Sequence, residues 1–378
     1  MSWFSNERNV VYVLLCCGIF AISFNVAAIA AVLPAISLDL NLPAIEVSRI
    51  VSYYMVPYGL GALLYAPLTR YFSYKKILVG SLAIYALASF YCAGARSLND
   101  LMVGRILVGI SGASAIPVGL MLIGQLFEKY IRGRRVGLFF SCGFFASMAG
   151  IILSGVAHWR WLFVLPAVMG VLIVLGLLFV PMASLKHVQG LKINYWKTLC
   201  HPSIRNIFVF VFVLSMLYHA TNQWFGIYLN DVYHFDKRHI SFFFLLMAVS
   251  SAVGQMWGGH LSDKRGRILA CWFGVMMMAG ATIFLVGRYP AFLLAVILCL
   301  FSMGWTIGHN GVSTVLTDFP DDHRAEIASL NSSIRFVSGG WGFSLSSFFI
   351  EKSFSWTFLG LGILMLITAL LIKKLVIE

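Results

Sequence analysis

Twelve apolar runs, each about 20 residues long, take up nearly all of this chain, and a helix needs roughly that length to cross the hydrocarbon of a bilayer. They lie at 10–34, 50–70, 77–95, 101–127, 136–157, 161–181, 206–230, 241–261, 268–287, 291–317, 328–350 and 355–372. Backbone N–H and C=O groups inside lipid must be satisfied within the protein, and unbroken runs of this length do that as helices. Of 378 residues, 60% are hydrophobic and only 11% charged, against roughly 25% charged in a soluble domain. Mean hydropathy is +0.89. So little charge cannot cover a surface facing water. The sequence predicts an all-α integral membrane protein.

The loops are short, save one. Residues 182–205, "MASLKHVQGLKINYWKTLCHPSIR", form the longest polar stretch, centred close to the middle of the chain. It splits the runs six and six, predicting an N-terminal bundle over 1–181, a linker over 182–205 and a C-terminal bundle over 206–378. Lys and Arg set the orientation. With the N-terminus inside, inner segments hold 18 of the 27 and outer segments 7, while Arg105 and Arg335 fall inside runs. Both termini are then cytoplasmic, and the short loops suit a bacterial inner membrane. The +13 formal charge sits in small clusters between apolar runs, which excludes a nucleic-acid patch. Six of the seven cysteines (Cys16, Cys17, Cys92, Cys142, Cys271, Cys299) lie in apolar runs and read as free thiols packing as small hydrophobes. The opening "MSWFSNERN" leads into an apolar run too long for a signal-peptide core, with no A-x-A site after it, so the first run is expected to remain.

The two halves echo each other. "LTRYFSYKKIL" (68–78) corresponds to "LSDKRGRIL" (261–269), and "YIRGRRVGLFF" (130–140) to "DHRAEIASL" (322–330). A parallel repeat of six spans is the sign of a transporter built from two bundles. The loop "GGHLSDKRGR" (258–267) isolates a knot of charge between apolar stretches, reading Gly259-x-x-Ser262-Asp263-Lys264-x-Gly266-Arg267. Glycines here allow close helix approach, Gly266 permits a turn, and Asp263 is expected near a helix N-terminus, where the macrodipole favours anions. The run at 101–115, "LMVGRILVGISGASA", carries Arg105 followed by small residues at 109, 112, 113 and 115. An arginine within the membrane costs at least ~2.5–3.5 kcal/mol and so faces a bundle interior or a watery cavity, with snorkelling to the headgroups the alternative.

On these motifs the chain resembles the major facilitator superfamily, and within it the drug:H+ antiporter-like branch, over nearly its whole length. The resemblance implies twelve transmembrane helices in two six-helix bundles, a substrate bound between the halves, and alternating access. It implies a gating role for Gly259, Asp263 and Arg267, with Arg70 and Arg134 in the matching N-half loops, and a link between Arg105 and proton coupling. Two departures stand out. The N-half loop carries Arg70 where the family has aspartate and Ser73 where it has glycine. The fifth span reads "GIILSG" (150–155), with Ile151 in place of the antiporter proline and Ser154 in place of a glycine. The following "HWRWLF" (158–163) reads as an interfacial anchor.

None of the 14 acids falls near the middle of a predicted span. The first span offers Asn25, which cannot titrate. His219 and His309 can. His219, Asn222 and Gln223 share a helix face at i, i+3, i+4, with Trp224 adjacent, and Trp305, His309 and Asn310 form a similar group. The resemblance places spans one, four, seven and ten around the central cavity, and these polar groups fall on those four. Substrate contact is therefore expected at Asn25, Arg105, His219, Asn222, Gln223, Trp224, Trp305, His309 and Asn310; interhelical glue is the competing reading. Arg335 is expected at a gate. Tyr53, Tyr54 and Tyr58 suit a cavity rim or an aromatic belt equally.

The resulting expectation is a monomeric secondary transporter of a small organic solute, with lipid as its solvent. Two arginines within spans and no acid there favour an anionic or zwitterionic solute, and the branch favours export. Proton coupling is left open, as are uptake by symport or facilitation and a non-transporting receptor or assembly factor. No nucleophile–base pair, metal-ligand cluster or phosphate-cradling loop is evident, so neither an enzyme, a cofactor nor ATP-driven pumping is expected.

Overall fold

The structure, a computed structural model, describes residues 2–180, 194–317 and 324–375. Residues 182–193 of the linker and the loop 318–323 lie outside the described residues. The chain divides into two units, Met1–Ile193 and Asn194–Glu378. The first holds α1 (Ser2–Ser23), α2 (Ala28–Leu40), α3 (Ala44–Leu68), α4 (Tyr74–Ala93), α5 (Leu98–Gly112), α6 (Ala115–Leu126), α7 (Lys129–Val156) and α8 (Trp161–Phe179). The second holds α9 (Tyr195–Cys200), α10 (Pro202–Asn222), α11 (Phe225–Asp231), α12 (Lys237–Arg265), α13 (Arg267–Phe284), α14 (Ala291–Thr317), α15 (Arg324–Ile350) and α16 (Phe354–Leu375). Residues 194–205, the end of the expected linker, are thus mostly helical and belong to the second unit.

Three pairs of helices are single interrupted spans: α1 with α2, α5 with α6, and α10 with α11. Sixteen helices, less three for these pairs and one for the six-residue α9, leave twelve spans. Among the described residues nine spans are long and apolar enough to cross a membrane on their own measure, and ten with the first pair, which bends by 44°. The long helices α3 and α15, of 25 and 27 residues, complete the set; they carry more Tyr, Ser and Gly.

The breaks have identifiable causes. Pro117 in α6 lacks the N–H that would bond the Ala113 carbonyl, so the helix opens at Ala113–Ser114. No proline lies at the first break, residues 24–27. There, carbonyls of α1 find side-chain donors instead. The Tyr85 hydroxyl donates to Ala21 O at 2.8 Å, and Ser147 donates to Ser23 O at 3.2 Å. Gly150 of α7 packs directly on the Phe24 carbonyl, where any Cβ would collide. At the third break the Thr221 hydroxyl bonds back to Leu217 O at 3.0 Å, an arrangement that bends helices.

Each unit is packed the same way, so the echo in sequence is an echo in structure. In the first, α1 packs on α7, α3 on α5, α4 on both α5 and α8; in the second, α10 packs on α15, α12 on α14, α13 on both α14 and α16. Small residues set these contacts, as expected where lipid removes any hydrophobic drive between helices. Gly109 of α5 sits against the backbone of Tyr54 and Tyr58 on α3, and Gly254 and Gly258 of α12 sit against α14 in the corresponding pair. Gly274 of α13 meets the backbone of Gly304 and Gly308 on α14.

That last contact leaves no room for a methyl group. Gly274→Val should force α13 from α14 and destabilise the protein by roughly 1–3 kcal/mol, whereas Gly280→Val, where a Cβ meets nothing within 4 Å, should be tolerated. Thermal unfolding of the two variants in detergent compares them; equal melting temperatures would contradict the packing described.

Candidate functional site

In the second unit several polar side chains gather around one indole. Trp305 on α14 is nearly buried. The Tyr218 ring of α10 stacks on it with centroids 4.0 Å apart and planes 11° from parallel. The His219 and His309 rings lie 6.1 and 5.3 Å from the same indole. The guanidinium of Arg335 on α15 sits 5.6 Å above it, within cation–π range. Gln223, at the break between α10 and α11, shares a hydrogen bond of 3.3 Å with His219 Nδ1. Three helices thus bring a cation, two imidazoles, an amide and an aromatic stack together inside one unit. Arg335, expected at a gate, stands in this group.

Trp224 takes no part. It is fully buried on another face, its indole N–H donating to Ser346 Oγ at 2.7 Å and its ring 4.5 Å from Phe343. Adjacent residues on a helix point about 100° apart, so Trp224 faces α15 while Gln223 faces His219. Asn222 is half-buried at the end of α10. Asn310 donates to the Gln255 carbonyl at 2.8 Å and joins α14 to α12.

In the first unit Arg105 is only 1% exposed, which rules out snorkelling. Its Nε donates to Ile50 O at 3.3 Å, and its guanidinium carbon lies 4.1 Å from the Tyr54 ring centroid and 6.0 Å from that of Phe163. The charge therefore rests on an aromatic face. Nη1 has no hydrogen-bond partner among the described residues. Asn25 lies in the break between α1 and α2, 0% exposed, and neither of its amide atoms has a partner there. Ser114, at the second break, is likewise buried with an unpartnered hydroxyl. Unsatisfied polar groups in a dry interior cost about 1–3 kcal/mol each.

The loop residues are placed as follows. Asp263 is exposed in the last turn of α12, the end of its own helix where the macrodipole disfavours an acid, so the expected helix N-terminus is not supplied by its own element. Gly266 has φ 92°, a backbone that excludes most other residues. Arg267 opens α13 and is half-buried. The close helix approach falls on Gly258; a Cβ on Gly259 would meet only the Asn310 side chain, at 3.3 Å. Arg70 is exposed in the turn after α3, and Ser73 caps α4 by accepting from the Lys76 N–H. Arg134 is exposed on α7.

"HWRWLF" does more than anchor at an interface. Trp161 is exposed, but Trp159 is buried, and its indole donates to Asp39 Oδ2 at 3.2 Å. Arg160 bonds the same carboxylate at 2.5 Å and the carbonyls of Ala93 and Ala95 at 3.0 and 2.8 Å, with His158 3.7 Å from Asp39. The second half of the broken first span, α2, is thereby stapled to the end of α4. At the start of α12, Asp236 accepts from the backbone N–H groups of Arg238 and His239, and these bonds hold its carboxyl below the usual carboxylate range.

Sequence reasoning missed Tyr218 and Ser114. Tyr218 lies four residues before Asn222, so following the helix face one turn back would have found it. Ser114 had Pro117 three residues on as its signal.

The Major Facilitator Superfamily profile matches residues 15–343. The chain belongs to that superfamily. Among its members the chain is 23% identical to the MFS-type transporter YwfA of Bacillus subtilis over 330 residues, covering 82% of this chain and 78% of YwfA. It is 30% identical over 167 residues to the transport protein HsrA of Haemophilus influenzae, a match covering 42% of this chain and 35% of HsrA. It is 24% identical over 166 residues to the multidrug transporter TPO1_1 of Candida glabrata, covering 43% of this chain and 29% of that protein. The fold is that of solved superfamily structures: a D-xylose–proton symporter superposes with a TM-score of 0.78 at 15% identity over 98% of both chains. The nucleoside transporter NupG superposes with a TM-score of 0.78 at 12% identity over 98% of this chain and 99% of NupG. As a superfamily member this is a multi-pass membrane transporter.

If Asp39 and Arg160 act as one staple, their losses should not add. Asp39→Asn and Arg160→Gln should each lower the unfolding temperature. The double variant should fall short of the sum by a coupling energy of roughly 0.5–3 kcal/mol. Additive losses in a double-mutant cycle would show that the two groups act independently.

Proposed function

We propose that this transporter moves a small organic anion or zwitterion by alternating access, and that it works as an exporter. The observation that carries this reading is the group around Trp305, where Arg335, His219, His309 and Gln223 stand within one bundle. A guanidinium with flanking N–H donors suits a carboxylate or similar oxyanion. The charge balance of the spans points the same way. Among the described residues every Asp and Glu but Glu7, in the second turn of α1, lies in an end turn of a helix or outside one, while Arg105 and Arg335 lie well inside spans. Neutral-to-cationic walls disfavour an organic cation.

Substrate contact is assigned to His219, Gln223, Trp305, His309 and Arg335 in the second unit, with Tyr218 as the stacking support. Within the first unit the candidate contacts are Asn25 and Arg105. Asn222 flanks this face. Trp224 and Asn310 support the bundle, the former through Ser346 and the latter through Gln255. Gly259, Asp263, Arg267, Arg70 and Arg134 remain gating residues, with Arg70 giving the first unit a latch without an acid. Export is favoured by relatives named as efflux or multidrug transporters, including TPO1_1 and multidrug resistance protein 3 of Bacillus subtilis. Protons are the coupling ion in this reading. The bacterial inner membrane, cytoplasmic termini and a monomeric state complete it. Proton-coupled uptake is the second reading, favoured by the likeness in fold to a proton symporter.

Transport in proteoliposomes tests both. A panel of labelled organic anions, zwitterions and cations is offered with and without a pH gradient. Anions or zwitterions should be transported and cations refused, with flux directed against the proton gradient. For the substrate so found, Arg335→Gln should raise KM about tenfold or more, the loss of a charge-assisted hydrogen bond, and Arg335→Lys should recover part of it. Transport of cations alone would overturn the site; co-directional movement with protons would select uptake; indifference to the gradient would remove proton coupling.

A further inference from the structure

The short helix α9 and the start of α10 have no part in the site above, yet the fold fixes them firmly. Asn194 caps α9 by accepting from the Lys197 N–H at 2.9 Å, and its own backbone N–H donates to Glu326 Oε1 at 3.2 Å. Glu326 sits in the first turn of α15, 4% exposed, with its second oxygen unpartnered among the described residues. Its place in α15 differs from the inner loop expected from sequence. Thr198 is buried and donates to Asn194 O at 3.2 Å, and Tyr195 hydrogen-bonds Ser329. A buried carboxylate spent on one backbone N–H is an expensive way to hold a six-residue helix, which argues that the position of α9 matters.

Its two faces differ. Tyr195, Thr198 and Leu199 face the bundle, while Trp196, Lys197 and Cys200 are exposed. Trp196 is 77% exposed. Arg205, in the first turn of α10, is exposed as well. The span formed by α10 and α11 begins at Pro202, so this face lies where that span leaves the hydrocarbon. An indole left in water there would gain nothing, whereas tryptophan at the headgroup level buries its ring and keeps its N–H wet. Lys197, next to it in sequence, and Arg205, in the first turn of the following helix, supply positive charge without an acid in α9 or in the first turn of α10.

We propose that the exposed face of α9 with Arg205 is a docking site for the headgroup of an anionic phospholipid of the surrounding bilayer. Lys197 and Arg205 take the phosphate charge and Trp196 lies at the acyl boundary. Its occupant is lipid rather than a soluble anion, and it is independent of the substrate site. Through the Asn194–Glu326 bond, headgroup binding would brace α15, the helix that carries Arg335.

Melting of the purified full-length chain in detergent tests this, with phosphatidylglycerol, phosphatidylcholine or water-soluble glycerol 3-phosphate added. Phosphatidylglycerol should stabilise at lower concentration than phosphatidylcholine, and glycerol 3-phosphate should not stabilise. In Lys197→Gln/Arg205→Gln the half-saturating phosphatidylglycerol concentration should rise about tenfold or more, with the phosphatidylcholine response kept as the sign of an intact fold. Should that variant fail to fold, bromine-labelled phosphatidylglycerol in nanodiscs should quench a component of tryptophan fluorescence that Trp196→Phe removes. Equal response to the two lipids, an unchanged preference in the double variant, stabilisation by glycerol 3-phosphate alone, or no Trp196-dependent quenching would each overturn the proposal.

Discussion

A polar group inside hydrocarbon has to find a partner within the protein, and most of this structure follows from that requirement. It makes every span a helix, because only a helix bonds its own backbone throughout. It explains why the breaks in the first and third interrupted spans are accompanied by hydroxyls from Tyr85, Ser147 and Thr221. It also makes the few exceptions informative. Asn25, Ser114 and the Arg105 Nη1, on spans one and four, are among the buried groups without a hydrogen-bond partner among the described residues.

The second unit has such groups too, Ser262 Oγ and Glu326 Oε2 among them. Its cation, Arg335, rests over Trp305, which is itself stacked on Tyr218. Arg105 in the first unit rests on Tyr54. Both cations therefore lie over an aromatic face, an attraction worth about 2 kcal/mol or more where water is excluded.

The spans were legible in the sequence because hydropathy over about 20 residues is a strong signal and needs no partner to read. The repeat was legible because loop motifs recur at half the chain length, and the packing pairs of the two units follow it. The breaks were not, since only Pro117 announces one; the first depends on donors from distant helices and the third on a threonine bonding back within its own helix. Within the site, His219, His309 and Trp305 stood out by residue type and spacing. Tyr218 did not, because a tyrosine in an aromatic-rich membrane chain carries no signal of its own. Trp224 was read by adjacency to a polar face, and adjacency on a helix means a different direction. Asp39 and Arg160 are 121 residues apart, a pairing no local pattern reveals.

The central claim is that the group around Trp305 faces water rather than acyl chains. Thiol labelling measures this directly. With the native cysteines replaced, single cysteines at His219→Cys, Gln223→Cys and His309→Cys would be exposed to a charged, membrane-impermeant maleimide, with Leu172→Cys on an exposed apolar face of α8 as the reference. The account predicts that the three site positions react with the charged reagent and Leu172→Cys reacts only with a permeant one. Site positions that stay unlabelled by the charged reagent while reacting with the permeant one would place them against lipid and contradict it.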